Sequence, residues 1–192
     1  LFGVDGDAEV LAKAVQANQL AGETQGDWDV FISAPSESIA SILAGADDAV
    51  LRKTFVANLK FAAAELKKAG LKQLIEPINT YDIPGFFLNR TAQAIGILDE
   101  VGADNAFVQY DIYHAQRMEG ELAATMQKHL ARIGHIQLAD NPGRNEPGSG
   151  EINYAFLFAH LDRIGYRGWI GCEYKPATTT EAGLGWRQKL AQ

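Results

Sequence analysis

The sequence predicts an α/β chain built on the plan of a (βα)8 barrel, and three observations carry that prediction. Helical and extended segments alternate with short connections, the rhythm of a parallel sheet covered by helices. No glycine-rich phosphate fingerprint follows any extended segment, which argues against a dinucleotide-binding sheet. Polar residues recur at the ends of the late extended segments, where a barrel builds its sites.

Residues 1–46 are irregular, and 21–46 are polar with little period. The clearest helix covers 47–68, where Leu51, Phe55, Leu59, Ala62 and Leu66 recur at the 3–4 spacing of one apolar stripe. Asp47 is placed to cap its start and Gly70 to end it. An apolar run, 71–78, contains the Glu76-Pro77 pair. A second helix, 91–101, stops at Gly102, and 106–111 is extended. Residues 121–133 read as helix, 135–139 as extended, 154–164 as helix, 169–173 as extended and 180–190 as helix. The expected organisation is one barrel domain over 1–192, regular from residue 47 onward. A full barrel takes about 250 residues. The 192 residues here fall short of that, and at most two or three strand-helix units precede Leu71.

The net charge of −7 argues against a general nucleic-acid or membrane-surface binder, because both partners are anionic. An anionic substrate would need a local cation. The single cysteine, Cys172, permits no internal disulfide, which fits a reducing, cytoplasmic setting. By alternation with Glu173 it points to the opposite face, as a packing residue and not a nucleophile. No apolar run approaches the ~18–20 residues of a membrane helix, and no secretory signal is visible. The chain starts at Leu1, so residues upstream of it are expected in the natural protein.

Four polar residues fall at the ends of the last four extended segments: Glu76, Asp111, Gln137 and Glu173. They lie 35, 26 and 36 residues apart, each about one strand-helix unit. In a parallel barrel all strand C-termini share one face, so these side chains converge. Three carboxylates brought together repel and raise each other's pKa. A cation resolves the conflict, and all-oxygen ligands favour Mg²⁺ or Mn²⁺ over zinc. His114, three residues past Asp111, falls within reach of a bound substrate. His135 shares a strand face with Gln137, whereas His129 and His160 read as ordinary helix residues. The turn-rich loop 140–151 holds one cation, Arg144, suited to grip a carboxylate with two parallel hydrogen bonds. Lys175 is a weaker candidate for the same task.

Four runs in this half of the chain resemble the hydroxypyruvate isomerase family, within the xylose-isomerase-like TIM-type barrels. They are IEPINTYDIPGF at 75–86, QYDIYHAQRMEGEL at 109–122, IQLADNPGRNEPGSGEINY at 136–154 and GWIGCEYKP at 168–176. The likeness spans about residue 47 to the end. It implies a divalent metal on Glu76, Asp111, Gln137 and Glu173, with Glu76 and Glu173 moving the proton. It also implies substrate contacts for His114 and Arg144. The implied reaction interconverts hydroxypyruvate and tartronate semialdehyde through an enediolate. The partner is then a small sugar acid, with no nucleic acid or membrane involved and homo-oligomerisation left open. Three alternatives stay open: an isomerase of a four-carbon 2-oxo acid, a sugar 3-epimerase, and a truncated inactive barrel serving as an interaction module. A nuclease on the same barrel is disfavoured by the acidic composition. The N-terminal part departs from the family pattern. Residues 2–20 resemble its second helix and 26–28 a loop after an early strand, while strands expected between about 28 and 45 are absent or replaced.

Overall fold

The structure, a computed structural model, describes the backbone of residues 30–31 and all of residues 48–190. The readings made of residues 2–20, 26–28 and 32–45, and of Asp47 as a cap, lie outside the described residues.

Among the described residues five strands form one parallel sheet: β1 (Val30–Phe31), β2 (Gln73–Ile75), β3 (Ala106–Asp111), β4 (Ile133–Leu138) and β5 (Ile170–Cys172). Their order in space is their order in sequence. A parallel sheet that always adds its next strand on the same side winds in one direction, as a βα barrel does and a doubly wound sheet does not.

Between β1 and β2 runs α1 (Asp48–Lys68), which buries Val56, Leu59, Ala62, Ala63 and Leu66, the stripe its sequence period predicts. It ends in a paired closure. Gly70 N–H donates to Lys67 O and Leu71 N–H to Leu66 O, with Gly70 at φ 73°. That left-handed turn is open to glycine at little cost. Next come α2 (Thr91–Val101), then α3 (Ile112–Met118) and α4 (Leu122–His129), with α5 (Tyr154–Ile164) between β4 and β5. Two short helices, α6 (Thr180–Gly183) and α7 (Trp186–Leu190), close the described chain. Among the described residues no helix is long and apolar enough to cross a membrane.

Strand alternation separates core from site. Ile75, Val108, Tyr110, Ile136 and Leu138 pack with Leu59, Ile97, Leu98, Met126, Leu157 and Leu161 from the helices. Each such side chain fully buried contributes roughly 1.5–3 kcal/mol. The alternate positions of β3 and β4 carry Gln109 and Asp111 opposite His135 and Gln137, after a register shift between Val108 and Gln109.

Three expectations need correction. The predicted helix over 121–133 is α4, a 3-10 turn (Leu130–Arg132) and the first residue of β4, because Ile133 already pairs with Val108. The predicted helix over 180–190 breaks between α6 and α7, at Leu184 and Gly185. Cys172 is exposed on β5 and is not a packing residue; its sulfur is still partly shielded from solvent, which holds the thiol above its ordinary value against the opposing charge of Arg187, away from the reactive thiolate.

Candidate active site

Glu76 and Glu173 each follow the last residue of a strand, and Asp111 ends β3. Glu173 is held by its own backbone, whose N–H donates to Leu138 O at 3.0 Å. Asp111 does two things at once. Its Oδ1 accepts from His114 N–H at 2.9 Å and starts α3, while Oδ2 is buried without a hydrogen-bond partner. The direct step from strand to helix lifts His114 to the same centre. One donor atom from each of Glu76, Asp111, His114 and Glu173 lies within 4.8 Å of the others. Gln137 pairs with Asp111 in the ladder, and its Oε1 accepts from Gln109 Nε2.

Burial sets the electrostatics. Asp111 is 2% exposed and the Glu76 side chain 21%. Loss of solvent, then the charges of Asp111 and Glu173, push Glu76 up to about 8 against the opposing pull of Gln109 and Arg144. Burial likewise pushes Asp111 up to about 6, opposed by its hydrogen bond from His114 N–H. Glu76 Oε1 is buried without a partner as well. Two orphaned carboxylate oxygens beside a third carboxylate fit a hard divalent cation, which satisfies both and cancels their repulsion. The same burial, with the Arg144 charge, drives His114 down to about 4 and leaves it neutral near pH 7.

Arg144 comes from the loop after β4 and donates from Nη2 to Glu173 Oε2 at 2.5 Å. Its guanidinium lies 5.2 Å from the centre of the Tyr113 ring. Lys175 enters through its backbone, its N–H donating to Arg144 O and its carbonyl accepting from Asn145 Nδ2, while the residue itself is exposed. His135 Nε2 lies close to Gly171 on β5. His160 is buried between helices with Nε2 against Ala123 O, a packing residue as expected.

Sequence reasoning missed Gln109, Asn79, Asp82, Tyr113 and Arg117. Gln109 sits two residues before Asp111 and shares its strand face, so the two-residue period could have found it. Asn79 sits three residues past Glu76, in the loop before α2, and its amide Nδ2 lies 2.6 Å from His114 Nδ1. Asp82 accepts from Asn79 Nδ2, Tyr113 OH and Arg117 Nη1. Burial pulls Asp82 up, but these donors outweigh it and hold the carboxyl below its ordinary value.

Fold and site together define a βα-barrel protein with a carboxylate-rich centre at the C-terminal ends of its parallel strands. The chain belongs to the xylose isomerase-like TIM barrel family, whose pattern matches residues 9–190. It is 56% identical over 143 residues to the hydroxypyruvate isomerase of Escherichia coli strain K12, covering 74% of this chain and 55% of that protein. It is 52% identical over 145 residues to a 2-oxo-tetronate isomerase of Cupriavidus necator, covering 76% of this chain and 56% of the relative. The chain therefore spans about half the length of these curated relatives. The crystal structure of an AP endonuclease, family 2, from Brucella melitensis superposes with a TM-score of 0.82 at 35% identity, covering 98% of this chain and 71% of that one.

Proposed function

We propose that the chain carries the catalytic centre of a divalent-metal-dependent isomerase of small 2-oxo acids, interconverting hydroxypyruvate and tartronate semialdehyde. In this reading residues 1–192 belong to one barrel domain. The observation that carries it is the meeting of Glu76, Asp111 and Glu173 with His114 at one strand-end face. The likeness to the hydroxypyruvate isomerase supports the substrate class.

Glu76, Asp111, Glu173 and the carbonyl of Gln137 are the groups that would hold the ion, Mg²⁺ or Mn²⁺ by their oxygen chemistry. Such an ion, when bound, supplies Lewis-acid polarisation of the substrate carbonyl. Everything else is work for the chain. The two isomers differ by one proton moved from the hydroxymethyl carbon to its neighbour and by the hydroxyl proton moved from one of the two adjacent substrate oxygens to the other. One of Glu76 and Glu173 takes the proton from the hydroxymethyl carbon, and the other returns a proton at the next carbon of the enediolate. Arg144, drawn to a carboxylate already in this structure, would exchange Glu173 for the substrate carboxylate. His114 would face the substrate oxygens, with Lys175 at the edge of the same loop pair. A second reading, the four-carbon 2-oxo-tetronate as substrate, is favoured by the 52% identity to the Cupriavidus necator relative.

Glu173→Gln tests the assignment, because it keeps the shape and removes the proton acceptor. Turnover of hydroxypyruvate should fall on the order of 10²–10⁴-fold, read beside the metal content of the same sample. A variant with normal metal content and near-normal turnover would defeat it.

A further inference from the structure

Asn79 is fully buried, and all four of its amide's hydrogen-bonding capacities are used. Its Oδ1 accepts from Tyr81 N–H at 3.1 Å and Asp82 N–H at 2.8 Å. One Nδ2 hydrogen goes to Asp82 Oδ2 at 3.0 Å. The other faces His114 Nδ1 at 2.6 Å, and the Asn79 backbone N–H approaches the same nitrogen at 3.3 Å. Oxygen and nitrogen of this amide cannot be exchanged. A flip would set the carbonyl oxygen against the Asp82 carboxylate and the NH2 group against two backbone N–H donors. Asp82 is itself tied down by Tyr113 OH at 2.8 Å and Arg117 Nη1 at 2.9 Å.

His114 Nδ1 therefore meets donors and must accept. A neutral imidazole with an accepting Nδ1 carries its hydrogen on Nε2. Nε2 is the atom that looks into the site, 3.9 Å from Glu76 Oε1. We propose that Asn79, backed by Asp82, is a positioning residue that locks His114 as the Nε2–H tautomer, making it a hydrogen-bond donor to a substrate oxygen and not a metal ligand. A ring nitrogen binds a metal through its bare lone pair, which a protonated Nε2 lacks. Close approach of His114 to the three carboxylates is thus not ligation, and the ligand set of Glu76, Asp111, Gln137 and Glu173 needs no histidine. The identity of the substrate oxygen rests on the isomerase reading, whereas the tautomer does not.

Nitrogen NMR of the chain with ¹⁵N-labelled histidine and saturating Mg²⁺ reads the tautomer directly. The chain has four histidines, and His114→Asn assigns the signal by deleting it. Wild type should show a pyridine-type Nδ1 and a pyrrole-type Nε2. Asn79→Asp, made together with Asp82→Asn so that the new oxygen meets an amide hydrogen and not a second carboxylate, keeps the oxygen that accepts from the backbone N–H groups of residues 81 and 82 but turns an oxygen toward Nδ1, so the two shifts should exchange. With the donor withdrawn from the site, kcat/KM on hydroxypyruvate should drop on the order of 10–100-fold, with bound Mg²⁺ per chain unchanged. A wild-type His114 protonated at Nδ1 overturns the lock even if the double variant fails to fold. Unexchanged shifts in a folded double variant overturn it too. A wild type with the Nε2–H signature but no activity on hydroxypyruvate or 2-oxo-tetronate leaves the lock standing and removes the isomerase reading.

Discussion

Arg144 holds a left-handed backbone, φ 54°, which residues with a Cβ adopt infrequently. Its carbonyl accepts from Lys175 N–H, so the strain is held in place by the chain that follows Glu173. The outcome is a guanidinium between the Tyr113 ring and the Glu173 carboxylate. That ion pair is half exposed on the Glu173 side, 48%, and contributes little to stability, so its value lies in placement. Arg144→Ala retains the same backbone demand and removes only the side chain. If Arg144 reads the substrate carboxylate, KM for hydroxypyruvate should rise on the order of 10–100-fold. Metal affinity should stay level or tighten, because Glu173 is freed. Arg144→Lys should restore part of the loss, as lysine lacks the planar fork. Equal effects on hydroxypyruvate and on a neutral ketose would mean that Arg144 shapes the loop and does not read charge.

The loop that carries Arg144 is built around Asp140, which is buried at 1% exposure. Its Oδ1 accepts from Asn141 and Ile152 N–H, and its Oδ2 from Gly148 and Gly150 N–H, at 2.8–3.0 Å. Gly150 can bring its N–H this close because a Cβ there would collide with Asn141 O. Asp140→Asn replaces one oxygen with an NH2 group facing two of these donors, at roughly 1–3 kcal/mol per buried donor left unpaired. The denaturation midpoint should fall, and limited proteolysis should cut within 141–151. Unchanged stability and an intact loop would refute the role. None of this was legible in a run that reads as generic turn formers. By contrast, α2 and α5 run 91–101 and 154–164 as their periods predict, because each has an apolar stripe and a glycine just past its end. The strand-end positions of Glu76, Asp111, Gln137 and Glu173 were legible because each closes or follows an apolar extended run and helical segments separate the runs. The helix α3 was not, since Asp111 is at once the last ladder residue and the cap, leaving no loop to mark the boundary. Asn79 escaped notice because its partner lies 35 residues away, past the end of the neighbouring strand.

At the scale of the molecule, the helices and one face of the sheet supply the apolar core, while the strand ends gather like charge in a protein of net charge −7. That arrangement ties stability to pH. The Glu76 carboxyl rises from 4.5 to about 8 and Asp111 from 3.8 to about 6, burial being the main cause in both. The metal-free native state then binds more protons than the unfolded chain across that window. This contribution to stability is fully present below the unfolded values and is lost as pH rises through about 6 and then about 8. A divalent ion replaces those protons, so its binding releases protons and tightens with pH. At a free concentration one hundred times Kd it should add about 2.7 kcal/mol. In a domain of this size that is worth roughly 5–11 °C in Tm. The gap in Tm between Mg²⁺- or Mn²⁺-loaded and chelator-treated protein, at one fixed metal concentration, should therefore widen between about pH 6 and 8. Calorimetry in buffers of different ionisation enthalpy should show proton release on metal binding near pH 7. A gap that stays constant or narrows, with no proton released, would mean that Glu76 and Asp111 are not the groups the ion meets.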